Sequence, residues 1–207
     1  MLTKSSIKKC MCLDLVDLLS LIMGKLLGAA LCTALLNTAL AATKKEEEAL
    51  PVIAKVLADF DWEPHEVKTE DGWYLTVIRI KPPKDVEKDP NKLPIMLMHG
   101  SMDSVLGFIK DNGWTGAAGG ATWSMKMTLK GYEVWILNSR GVKYSNKHDR
   151  DGEWSLKEKW AFNWADMGFY DIPAAISHIL EVTKAPKVTV AAHSQGTSQM
   201  WYSLSHR

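Results

Sequence analysis

The chain has 207 residues, of which 46% are hydrophobic and 24% are charged. These fractions lie near the average for a soluble globular protein, so they exclude a disordered or collagen-like chain. The formal net charge is +1, from 25 Lys and Arg against 24 Asp and Glu, and this balance gives no indication of a nucleic-acid partner. Three cysteines, all before residue 33, are too few for a scaffold held by disulfides.

The first 43 residues differ in composition from the rest of the chain. Residues 26–43 are uncharged but built largely of Ala, Leu, Thr and Gly, which is borderline for a membrane-spanning helix of about 20 strongly apolar residues. A signal peptide over residues 1–41 fits better, because Lys25 precedes an apolar run and Ala39-Leu40-Ala41 matches the small-x-small cleavage pattern. We therefore expect a secreted or lysosomal (lumenal) protein, with Met23 as an alternative start of translation. The alternative is a membrane anchor over residues 26–43.

The remaining residues, 42–207, are predicted to have an α/β fold and to form the N-terminal part of a domain. Strands are expected at residues 65–70, 73–80, 95–98, 133–137 and 187–192, with the last three buried. Helices are expected at residues 44–60, at 122–130, from 171 onward and after 194. The first two strands form a hairpin around the two-residue turn signal Asp71-Gly72. Because strand and helix then alternate, the sequence predicts a mainly parallel sheet preceded by an antiparallel hairpin.

A nucleophile motif follows the last of these strands. Residues 192–196, AHSQG, are close to the G-x-S-x-G elbow, in which a serine occupies a strained turn between a strand and a helix. Small residues are needed two positions before and after the serine, since the backbone folds back on itself, and Ala192 departs from Gly by one methyl group. The pattern alone is weak, and an inert serine in a tight turn is the alternative. The flanking strand and helix favour Ser194 as a nucleophile.

Two backbone N–H groups are candidates for stabilising an oxyanion beside this serine. The helix that begins at Gln195 directs its N–H groups and the positive end of its dipole towards the serine oxygen. The second donor is the N–H of Ser101, which follows His99-Gly100 at the end of an earlier strand. His99 is expected to order this loop rather than to act as a base.

Other polar residues are interpreted structurally. Asp166 and Asp171 are expected to cap helices rather than to serve as a catalytic acid. Four basic residues are expected to lie in a solvated loop and are called the basic group: Lys143, Lys147, His148 and Arg150. No Cys or His spacing suggests a metal site, and no glycine pattern suggests a phosphate-binding cofactor.

Four blocks together resemble the acid lipase family, which contains gastric and lysosomal acid lipases and sterol esterases. The blocks are IMLMHGSMDS (95–104), GYEVWILNSRG (131–141), WAFNWADMGFYDIPA (160–174) and AHSQGT (192–197). The resemblance implies an α/β-hydrolase fold that hydrolyses triacylglycerols or sterol esters at a lipid–water interface, with a Ser-His-Asp triad and no cofactor or metal. By position, Ser194 is the nucleophile, and Gln195 and Ser101 supply the N–H groups of the oxyanion hole.

The chain also departs from the family pattern. Ala192 and Ser101 stand where the family usually has Gly and Leu. The triad order in α/β-hydrolases is Ser, Asp, His, but no Asp follows Ser194 and the only His that follows is His206, on the same short helix. We therefore expect the N-terminal half of such an enzyme, truncated after the elbow, without the triad Asp and His and inactive alone. The alternative is a non-catalytic, lipase-like or lipid-binding fragment; the oligomeric state is not predicted.

Overall fold

The computed structural model describes residues 50–86, 89, 91–110 and 121–207. The predicted signal peptide, the alternative membrane anchor and the start of the helix expected at 44–60 lie outside these residues. In the part of the chain that is described, no helix combines the length and apolar character needed to cross a bilayer.

The described residues form strands and short helices in alternation. The strands are β1 (Trp62–Lys68), β2 (Trp73–Ile80), β3 (Ile95–Met98), β4 (Val134–Leu137), β5 (Lys147–His148) and β6 (Thr189–Ala192). The helices are α1 (Pro51–Val56), α2 (Leu106–Ile109), α3 (Trp123–Leu129), α4 (Leu156–Lys159), α5 (Trp164–Asp166), a π-helical turn (Met167–Asp171), α6 (Ile172–Thr183) and α7 (Gln195–His206).

The strands form one mixed sheet in the order β1-β2-β4-β3-β6, with β5 paired to β2. The pairs β1–β2, β2–β4 and β2–β5 are antiparallel, whereas β4–β3 and β3–β6 are parallel. Leu97 of β3 lies in register with Ile136 of β4 on one side and Ala191 of β6 on the other. This arrangement confirms the predicted α/β fold with an antiparallel hairpin at its start.

The core consists of two clusters, one on each face of the sheet. Because successive side chains of a strand point to opposite faces, Leu97 and Ile136 belong to the first cluster and Met98 and Leu137 to the second. Residues from α1, α2 and α3 cover the first cluster, and α6 covers the second. All four residues of β3 and of β4 are buried, as their continuous apolar sequences predict.

Several predicted boundaries were wrong. Helix α1 ends at Val56 rather than at residue 60. Strand β1 begins at Trp62 and includes Pro64, which is tolerated because β1 pairs on one side only among the described strands. The loop between β1 and β2 contains four residues, Thr69–Gly72, rather than the two-residue turn. Its two ends are joined by the hydrogen bond from the Thr69 N–H to the Trp73 carbonyl, at 2.8 Å.

Strand β6 was predicted to be buried, and this was also wrong. Thr189 is exposed and the next three residues are only half-buried. Within the described residues, β6 pairs with β3 alone and therefore forms an edge of the sheet. Its apolar residues thus contribute less to the core than those of β3 and β4.

Replacing Leu97 by Ala tests the position of the core. Leu97 is fully buried in β3, so Leu97→Ala should lower the free energy of unfolding by about 2–5 kcal/mol. The same substitution at Leu129, which is 51% exposed at the end of α3, should cost far less. Urea denaturation of both variants checks this, and equal losses would contradict the assignment of the core.

Candidate active site

The candidate site lies where three neighbouring strands end. Strand β3 is followed by His99, Gly100 and Ser101, β4 by the segment 138–141, and β6 by Ser194. Since these strands are parallel and adjacent, their carboxyl ends lie at the same edge of the sheet. Ligands of open α/β sheets bind at this edge.

Ser194 occupies a strained turn between β6 and α7. Its backbone has φ 49° and ψ −121°, a conformation that residues other than Gly rarely adopt. The turn is fixed by backbone hydrogen bonds: the N–H of His193 donates to the Met98 carbonyl, and the N–H of Gly196 donates to the His193 carbonyl, both at 2.9 Å. The side chain of Ser194 is exposed. The geometry agrees with the predicted elbow.

Close backbone contact holds this turn against the end of β3. A Cβ atom on Gly196 would lie 2.7 Å from the carbonyl oxygen of His99, which is too close for any side chain. A Cβ atom on Gly100 would lie 3.0 Å from the Ser194 Cβ and 3.1 Å from the His193 Nδ1. Glycine at these two positions therefore allows the two loops to touch.

The two predicted oxyanion donors lie on either side of this contact. Gln195 is the first residue of α7, and the N–H groups of a first helical turn have no acceptor within the helix. Ser101 follows Gly100 and starts a turn in which Met102 has φ 59°. Each of the two loops thus contains one residue with positive φ, Ser194 after β6 and Met102 after β3. Such a conformation persists only where the surrounding structure enforces it.

His99 is buried between these loops, and its hydrogen bonds define its protonation. The backbone N–H of Ser139 donates to Nε2 at 3.1 Å, so Nε2 carries no proton. Nδ1 lies 2.7 Å from the carbonyl oxygen of Gly100, so it carries the proton and donates it. Burial lowers the pKa of His99, which favours this neutral ring. The ring is thus engaged at both nitrogens and links the loop after β3 to the loop after β4.

An ion pair that the sequence analysis missed lies beside His99. The side chains of Arg140 and Asp171 are each 1% exposed, and Arg140 Nε donates to Asp171 Oδ1 at 2.7 Å. The backbone N–H of Arg140 donates to the other oxygen, Oδ2, at 3.0 Å. Arg140 also binds both carboxylate oxygens of Asp71, in the β1–β2 loop.

The pKa values of this pair reflect its burial. Loss of water raises the pKa of Asp171 to about 6, although Arg140 opposes the change. Burial alone would lower the pKa of Arg140, but the hydrogen bonds and charges of Asp71 and Asp171 outweigh it and hold the pKa above its ordinary value.

The structure therefore corrects the role of Asp171. Its side chain does not cap α6 but binds Arg140, because α6 continues from the π-helical turn without a free first turn. Asp166, in contrast, takes part in capping α5: Asn163 is the N-cap residue, and its backbone N–H donates to the Asp166 carboxylate at 2.8 Å. In the basic group, His148 is buried and its Nε2 donates to the Asp71 carbonyl at 2.9 Å, so it is not part of a solvated loop.

His206 does not reach the candidate nucleophile. Its ring stacks on Tyr202 at 4.0 Å, and its Nδ1 bonds to the Tyr202 carbonyl at 2.9 Å. It is the last residue of α7, which has 12 residues, so it lies about 18 Å along the helix axis from Ser194. No cluster of three or more His, Cys, Asp or Glu side chains that could bind a metal is found among the residues described.

Two family models match the chain in succession. The model for a partial alpha/beta-hydrolase lipase region matches residues 55–111, and the model for the alpha/beta hydrolase fold matches residues 112–207. The fold, the strained serine and these matches define a class of protein: the chain belongs to the lipase group of the α/β-hydrolases.

Similar proteins are lipases. Lipase 1 of Drosophila melanogaster is 36% identical over 79% of this chain and 34% of its own length. Gastric triacylglycerol lipase of Rattus norvegicus is 35% identical over 65% of this chain and 32% of its own. The lysosomal acid lipase/cholesteryl ester hydrolase of Homo sapiens is 33% identical over 67% and 33%. The chain thus spans about a third of the length of these relatives.

Gly196→Ala tests the contact between the two loops. The added methyl group would push the elbow away from the His99 carbonyl, and we expect a loss of about 1–3 kcal/mol in the free energy of unfolding. Ser198→Ala, at an exposed position of the same helix, is the control and should have little effect. Equal stability of Gly196→Ala and the wild type in urea would show that the loops do not touch.

Proposed function

We propose that this chain carries the nucleophile of a serine ester hydrolase that acts on neutral lipids. The observation that supports this most directly is the left-handed backbone of Ser194 at the junction of β6 and α7. Such strain has no benefit for an ordinary strand-to-helix turn, but it presents a serine oxygen in front of a helix N-terminus.

In the proposed reaction, Ser194 Oγ attacks the ester carbonyl carbon while a base takes its proton. The carbonyl oxygen becomes an oxyanion that accepts hydrogen bonds from the N–H groups of Gln195 and Ser101. The alcohol then leaves with a proton, and water releases the fatty acid from the serine. No metal or cofactor takes part in this proposal, because the two N–H groups and the helix dipole stabilise the negative charge that develops on the oxyanion.

In this proposal, neither His99 nor His206 is the base that activates Ser194. His99 is engaged at both nitrogens, and His206 is about 18 Å from Ser194 along α7. A serine hydroxyl is a poor nucleophile until a base accepts its proton. We therefore propose that the 207-residue chain alone turns esters over far more slowly than a lipase does.

The proposed substrates are triacylglycerols or sterol esters, presented at a lipid–water interface. The names of the similar proteins support this class, since one is a triacylglycerol lipase and another a cholesteryl ester hydrolase. The second candidate is a lipase-like protein that binds lipid without chemistry. The engagement of His99 at both nitrogens favours it, since that ring cannot accept a proton from Ser194.

Labelling with a fluorophosphonate separates the two candidates. An alkyl fluorophosphonate should modify Ser194 of the wild-type chain slowly. Its phosphorus is more electrophilic than an ester carbonyl carbon, and the two oxyanion donors still act although the base is missing. Ser194→Ala should not be labelled, whereas the control Ser198→Ala should be labelled like the wild type. Peptide mass spectrometry locates the adduct. No adduct on Ser194 of the folded chain would favour the non-catalytic candidate.

Turnover of p-nitrophenyl esters tests the missing base. The wild type should be slow and close to Ser194→Ala, since without a base both proteins retain only the oxyanion hole and binding, which supply about 10³–10⁴-fold over water. Turnover at ordinary lipase rates that disappears in Ser194→Ala would contradict the proposal that the described residues place no base and acid at Ser194.

We further propose that residues 1–41 direct the chain into the secretory pathway and are then removed. The proposal rests on Lys25, the apolar run and the Ala39-Leu40-Ala41 pattern. Mass spectrometry of the protein from a secreting host should show a new N-terminus at Ala42. A membrane-bound product that retains residues 26–43 would instead support the anchor.

A further inference from the structure

The segment 138–141, which follows β4, connects the buried ion pair to His99. The backbone N–H of Arg140 donates to Asp171 Oδ2 at 3.0 Å, and the preceding N–H, of Ser139, donates to His99 Nε2 at 3.1 Å. These two N–H groups belong to consecutive peptide units. The position of one therefore restricts the position of the other.

Stability alone does not account for the charges of this pair. Arg140 and Asp171 are each 1% exposed, so both have lost their water. Apolar side chains of similar volume are often as stabilising as a buried ion pair. What such side chains cannot provide is an acceptor for the Arg140 N–H, and Asp171 accepts that N–H and the guanidinium at the same time.

We propose that Arg140 and Asp171 are positioning residues for the oxyanion side of the site. This inference rests on the proposed function, in which the Ser101 N–H binds the oxyanion. Asp171 fixes the segment 138–141 by accepting the Arg140 N–H. The N–H of Ser139 then orients the ring of His99, and Nδ1 of that ring donates to the Gly100 carbonyl. That carbonyl and the Ser101 N–H belong to one trans peptide unit and point in opposite directions, so the His99 bond sets the direction of the N–H.

The first test is Asp171→Asn. An amide presents one acceptor oxygen and one NH₂ group that only donates, so it cannot accept both the backbone N–H and the Arg140 guanidinium in the same way. We expect fluorophosphonate labelling of Ser194 to become about 10- to 100-fold slower. This is less than the roughly 10²–10³-fold typical for the complete loss of an oxyanion donor, since the Ser101 N–H is misdirected rather than removed.

Asp71→Asn is the matched control. Asp71 also binds the Arg140 guanidinium, but it accepts nothing from the backbone of segment 138–141. Asp71→Asn should therefore lower the stability while leaving the labelling rate of Ser194 close to that of the wild type. Equal slowing in Asp71→Asn and Asp171→Asn would indicate a general loss of structure and would overturn the proposal.

A second variant covers the case in which Asp171→Asn does not fold. The double substitution Arg140→Met with Asp171→Leu removes both buried charges and keeps an apolar interior, so it should remain folded. It still lacks the acceptor for the N–H of residue 140. Slow labelling in this folded variant supports a positioning role, and wild-type labelling overturns it.

Nitrogen NMR of the His99 ring provides a readout that does not need a reactive serine. The wild type should show a neutral ring with its proton on Nδ1. The signals of the His99 ring are identified because they are missing from the spectrum of His99→Gln. The double substitution should shift the Nε2 signal, because Ser139 no longer donates in the same geometry, and an unchanged signal would overturn the proposal. Absence of Ser194 labelling in the wild type would instead reject the proposed function, and the His99 signal would still decide the positioning role.

Discussion

The candidate site depends on the contact between the backbone loops that follow β3 and β6. The parallel pairing of Met98 with Ala192 brings the two strand ends to the same level. Gly196 approaches the His99 carbonyl to a distance that no Cβ would permit, and Gly100 lies against Ser194. The strained backbone of Ser194 follows from this contact, because the elbow has no room to relax towards β3.

The protonation of His99 is part of the same constraint. A charged imidazole has an N–H at both nitrogens, so protonated His99 would place a donor against the N–H of Ser139. Burial disfavours the charged ring for an independent reason, since it lowers the pKa of His99. Hydrogen bonding and desolvation thus select the same neutral tautomer, and a single ring can link the loops after β3 and β4.

The sequence predicted those features of the fold and site that local patterns determine. The continuous apolar residues of β3 and β4 indicate strands buried on both faces, and the short AHSQG motif indicates the elbow. The burial of β6 was mispredicted from the same kind of pattern, because an apolar sequence does not reveal how many neighbours a strand has.

The ion pair of Arg140 with Asp171 could not be predicted from local patterns. Its residues are 31 positions apart, and an Asp directly before Ile-Pro has the local signature of a helix cap. What distinguishes Asp171 is the π-helical turn before it, which removes the free N–H groups that a cap would bind.

The ion pair also connects the candidate site to the core. Asp171 immediately precedes Ile172 of α6, which is packed in the second cluster, and Arg140 follows Leu137 of β4, which belongs to the same cluster. Both partners are therefore anchored on one packed face of the sheet. A backbone conformation such as that of Ser194 costs about 1–3 kcal/mol and persists only where its surroundings are rigid. The packing of α6 on β4 supplies that rigidity to the loop of His99, and through it to the elbow that His99 contacts.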